Sequence, residues 1–102
     1  MYTDMRSIAR AHKKSGRHFF DANTMRFWGS VIKDEVFVYG EKRYFITADD
    51  QFDPKRPKRY TVRSFDICDR EVRTVFGFQQ FETYEEAKEY LELHLKEGRE
   101  IV

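Results

Sequence analysis

Two periodicities divide this chain into a helix, a run of strands and a closing helix. Between Thr3 and Lys14, Met5, Ile8, Ala9 and His12 recur at three- and four-residue spacing, which puts them on one helix face. Thr3 stands where an N-cap is needed, and Gly16 where a left-handed residue would end the helix. Asp21, Asn23 and Thr24 then supply side-chain oxygens for a turn. Period two follows. Val36–Tyr39 and Arg43–Ala48 flank Gly40, Glu41 and Lys42 as a hairpin, with residues from Ser30 extending its first strand. Arg59–Asp66 sets Tyr60 and Val62 against Thr61, Arg63 and Phe65. Val72–Phe78 sets Val72, Thr74, Phe76 and Phe78 against Arg73, Val75 and Gly77, and both runs are rich in β-branched and aromatic residues. Asp49–Lys58 holds both prolines and reads as the main irregular loop. Thr83 and Glu86 form a capping box ahead of the stripe Ala87, Tyr90, Leu91, His94 and Leu95, with Gly98 as the stop. The expected fold is α+β. It is a four-stranded antiparallel sheet with N-terminal and C-terminal helices packed on one face, in a single domain over residues 1–102.

Composition supports a folded, water-facing domain. Charged residues make up 36% and apolar residues 40%, while the 17% of aromatics gives a small core much area per side chain. No apolar run approaches the roughly 20 residues that cross a bilayer. The first residues lack the continuous apolar stretch of a secretory leader, and Cys68 is the single cysteine, so no internal disulfide forms. A cytoplasmic protein without membrane association is expected. Charge is polarised: residues 1–33 carry +5, residues 34–63 +1 and residues 64–102 −5. Such asymmetry steers partners and leaves pairing of two copies open as a homodimer.

Known catalytic patterns are missing. His12, His18 and His94 lie on separate elements without clustered metal ligands, although His18 and Asp21 are three apart. Cys68, in ICDRE, has no nucleophile-elbow context and is expected to be a half-buried structural thiol. The five glycines are isolated, which excludes a glycine-rich phosphate loop. Glu85, Glu86 and Glu89 fit a solvated helix face. A non-enzymatic protein with no cofactor and no metal is therefore expected.

Binding signals are stronger. PKRPKR places Lys55, Arg56, Lys58 and Arg59 on one loop, and Arg63 and Arg73 extend the positive field across an outer sheet face with Phe65. Arginines interleaved with aromatics suit phosphate contact and base stacking, which makes direct nucleic-acid binding one expectation. The element order also invites comparison with double-stranded-RNA-binding domains. Those present a basic start to their last helix, whereas TYEEAKEYLE here is acidic at that point. The first helix has a basic outer face from Arg6, Arg10, Lys13 and Lys14. The block HFFDANTMRFWGS reads either as an aromatic wedge in the core or as a protein interface. Arg26, Phe27 and Trp28 are of the residue types that dominate binding energy.

The blocks GRHFFDANTMRFWGSVI, RYFITADD, RYTVRSFD and VFGFQQFETYEEAKEYL together resemble a family of small proteins from bacteriophages and mobile elements. The likeness runs from about Gly16 to Leu91. Trp28 stands where the family usually has Phe, and ITADD where VTSE is usual. The resemblance implies a compact α+β domain of phage or mobile-element origin and identifies no catalytic residue. Non-enzymatic proteins of that origin commonly act on host machinery. The function expected first is an accessory protein that binds and inhibits a host defence component, of anti-CRISPR or anti-restriction type. Its partner would be a host protein or protein–nucleic-acid complex.

Overall fold

Asp4, not Thr3, opens the first helix, because its carboxylate accepts the Ser7 backbone N–H at 2.7 Å. A computed structural model of the chain describes residues 2–21, 30–31, 35–49, 55 and 57–97. Helix α1 runs over Met5–Lys14 and ends where Gly16 takes φ +85. Strands β1 (Ser30–Val31), β2 (Phe37–Tyr39), β3 (Lys42–Asp49), β4 (Arg59–Asp66) and β5 (Val72–Val75) follow, and helix α2 (Tyr84–Lys96) closes the fold. Gly40, at φ +58, begins the two-residue turn between the paired Tyr39 and Lys42, where a hairpin twist favours glycine. Thr83 caps α2 by accepting the Glu86 N–H at 3.1 Å.

The sheet is antiparallel throughout. β3 and β4 pair over eight residues, from Lys42↔Asp66 to Asp49↔Arg59, and β5 pairs on the far side of β4. β1 and β2 share the other side of β3 and form one split edge, so the sheet is four strands wide. Residues 32–36 separate the pairs Val31↔Thr47 and Phe37↔Tyr44, whereas only Phe45 and Ile46 separate them on β3. The edge therefore carries three more residues than its partner across that interval.

The helices cover opposite faces of this sheet, not one face as the element order suggested. Tyr44, Ile46, Val62 and Val75 pack with Phe81, Tyr84, Ala87 and Leu91 under α2. On the other face Phe45 and Phe65 pack with Ile8 and Ala11 of α1, and Phe19, Phe20 and Val72 flank them. β3 is buried from Arg43 to Ala48, and β4 from Thr61 to Phe65, on both faces. Each such Phe, Ile or Leu contributes about 1.5–3 kcal/mol through burial, which favours covering both faces over exposing one.

β5 stops at Val75, three residues before the expected end. Phe76 takes φ 60, which breaks the alternation and turns its ring to the α2 side, 4.7 Å from the Tyr90 ring. The Gly77–Gln80 turn is closed by Gln80, whose side-chain oxygen accepts the Gly77 N–H at 2.6 Å. Phe81 then bonds back to Tyr60 in both directions, at 2.8 and 3.2 Å. Among the described residues no helix is long and apolar enough to cross a membrane.

His12 fastens α1 to the rest. It is 2% exposed, and Nδ1–H donates to the Arg70 carbonyl at 2.7 Å while Nε2 accepts the Phe19 N–H at 3.2 Å. A carbonyl and an amide as partners fix that tautomer. Its ring also meets Phe20 edge-on at 5.5 Å. His12→Ala leaves the part-buried Arg70 carbonyl and Phe19 N–H without their partner and empties a buried ring site, so it should destabilise the domain by about 3 kcal/mol. Urea unfolding of the two proteins measures the difference.

Candidate binding cleft

Arg63 is the centre of a cleft among the described residues. It sits mid-strand in β4, on the α1 face beside Phe65, and is 4% exposed. The long pairing of β4 with β3 and β5 puts a threonine on each side of it. Nε–H donates to Thr47 Oγ1 at 3.1 Å, and an Nη1 hydrogen goes to Thr74 Oγ1. The guanidinium also faces two rings, with Phe19 at 5.3 Å and Phe78 at 5.6 Å to the centroids. Cation–π attraction of this kind strengthens where water is scarce.

Phe19 follows α1, Phe78 belongs to the turn after β5, and Val72, Arg73 and Thr74 come from β5 itself. With Arg63 these residues line a cleft of about 450 Å³. Phe78 is 41% exposed, an unusual position for a large ring. The cleft lies along β5, and among the described residues no strand pairs with the outer side of β5. An apolar-walled hollow with a buried cation, beside an open strand edge, suits an extended segment carrying an acidic or flat side chain.

The proposed phosphate-contacting set does not assemble as one surface. Arg63 and Phe65 are buried beneath the α1 layer, because both faces of the sheet are covered. Arg59 is occupied by the Gln79 and Gln80 carbonyls at 3.0 and 3.2 Å and by Glu82 at 3.3 Å. Arg73 is exposed but held by Asp69 at 2.5 Å, which pulls the Asp69 carboxyl below the usual range. Lys55 and Lys58 are exposed, and Arg56 lies outside the described residues. So do Arg26, Phe27 and Trp28. Sequence reasoning paired Arg63 with a surface, whereas Phe19, Thr74 and Phe78 complete its setting. The unbroken large residues of RYFITA were the available sign that the central strands have no solvent face.

Residues 4–92 match a family model described as a family of unknown function (DUF7447). The chain belongs to that family. No curated protein and no solved structure matches it.

Two polar clusters of this DUF7447 member test for chemistry. Tyr84 donates to Glu35, which also receives Lys88 Nζ at 3.0 Å. Burial, then the hydrogen bond to the Glu35 carboxylate, push the Tyr84 phenol up, so the hydroxyl stays protonated and ties α2 to the split edge. Cys68 is exposed, not half-buried. Its thiol donates to Glu41 Oε2 at 2.9 Å, and its N–H donates to Asp66 Oδ1 at 2.8 Å. The hydrogen bond to Glu41, reinforced by the Glu41 charge, pushes the thiol up to about 11. A reactive cysteine needs the opposite. Cys68 should therefore alkylate with iodoacetamide at pH 8 more slowly than an ordinary cysteine, and Glu41→Gln should speed it by about 10- to 100-fold. Thiol-labelling rates followed by mass spectrometry give both values.

Proposed function

We propose that this protein is a non-enzymatic capture protein of phage or mobile-element origin, which binds and inhibits a host defence component in the host cytoplasm. The cleft beside the open edge of β5 is the observation that carries this reading. An extended segment of the partner would add to β5 through main-chain hydrogen bonds, and an acidic side chain would enter between Phe19 and Phe78 towards Arg63. The edge supplies affinity with little sequence preference, and the cleft supplies selectivity. The origin rests on the family resemblance of the HFFDANTMRFWGS block. Arg26, Phe27 and Trp28 of that block are proposed as further anchors, on the ground that Trp and Arg dominate interface energies.

Phe78→Ser removes one wall of the cleft at an exposed position. It should cut recovery of the partner from host lysate at least tenfold while shifting stability by no more than about 1 kcal/mol. Capture by the tagged protein, compared with the variant and repeated after nuclease, reads this directly; undiminished capture by Phe78→Ser removes the reading. Trp28→Ala and Arg26→Ala should likewise abolish capture and leave the far-ultraviolet circular dichroism spectrum unchanged. An unfolded variant would assign the block to the core instead.

A further inference from the structure

We propose that the groove between α1 and the β4–β5 turn binds the phosphate backbone of a nucleic acid, a site separate from the β5 cleft. Tyr2, Ser7, Arg10, Lys14 and Arg70 line a groove of about 210 Å³, floored by Ala11. Arg10, Lys14 and Arg70 are all exposed, and among the described residues no carboxylate forms an ion pair with any of them. Arg10 and Lys14 are one helical turn apart, a like-charge spacing that costs stability unless an anion lies between them.

Arg70 makes the third cation deliberate. It occupies the left-handed region at φ 59, where an arginine is strained and a glycine or asparagine is at ease. Its backbone alone meets the structural need there, since its N–H bonds to the Asp66 carbonyl at 2.8 Å and its carbonyl receives His12. The long cationic side chain adds nothing to that turn and everything to the groove.

The ligand is longer than a single phosphate. Arg6 and Lys13 are also exposed on α1, and the helix spreads the charges from Arg6 to Lys14 over about 12 Å, the reach of several phosphates along a strand. A membrane surface fits poorly. Among the described residues the exposed large apolar side chains, Val38, Tyr39, Phe78, Tyr90 and Leu93, all lie off α1, so the helix itself has none to insert among acyl chains.

Fluorescence anisotropy of the full chain with labelled single- and double-stranded DNA of about 20 residues, at about 50 and 200 mM salt, tests the site. Binding at the lower salt should weaken steeply at the higher. Arg10→Gln, Lys14→Gln and Arg70→Asn should each lower affinity about fivefold and flatten the salt slope by about 1. Arg70→Asn should do so with an unchanged or raised melting temperature, because asparagine suits the left-handed backbone and keeps the His12 bond. Lys55→Gln and Lys58→Gln should bind as the parent does. No binding at the lower salt, parental binding by the triple variant, or loss only in the Lys55 and Lys58 variants overturns the proposal. So does binding confined to phosphatidylserine vesicles or to polyglutamate, which would assign the groove to another polyanion.

Discussion

The eight-residue pairing of β3 with β4 is the constraint on which the rest of the molecule depends. Once Phe45 stands beside Arg63 and Ile46 beside Val62, alternate residues of both strands are committed to opposite faces. Both sets are large, so neither face can be left to water. One helix on each face meets that need, and among the described residues α1 and α2 supply them from opposite ends of the sequence. Slipping the register by one residue would exchange the two cores and strand Arg63 among the residues beneath α2.

The strand and cap signals were largely legible. Arg59–Asp66 forms over its full expected length, and Thr83 caps α2 as its spacing with Glu86 predicts. Gly16 and Gly40 take the positive φ values that their places in a helix end and a hairpin demand. Errors arose where tertiary demands overrode local pattern. Phe76 continues the alternation in sequence, yet its ring gains more by joining Phe81 and Tyr90 under α2 than by extending β5. The cap is a local exception, where Asp4 serves in place of Thr3 because its carboxylate reaches the Ser7 N–H. The side of the sheet taken by each helix could not be read from element order, because order is silent about faces.

Both clefts escaped sequence reasoning for a related reason. Phe19, Arg63, Thr74 and Phe78 come from four segments, and nothing local marks them as neighbours. The arginines that looked like one positive field are drawn apart by folding: Arg63 is buried among rings, Arg59 caps carbonyls, and Arg73 folds back on Asp69. The basic face of α1 was visible as charge. Its meeting with Arg70 was not, since that depends on the buried His12 holding the β4–β5 turn against the helix.

The split edge formed by β1 and β2 has a consequence for assembly. Sheets grow into fibres only when a copy offers two edges that can each take a neighbour in register. The pairs Val31↔Thr47 and Phe37↔Tyr44 differ in register by three residues, so β1 and β2 do not offer a neighbour one continuous ladder. Among the described residues β5 is the regular edge. Two copies joined edge to edge through β5 would use it up on both, and association by that route stops at a closed twofold pair.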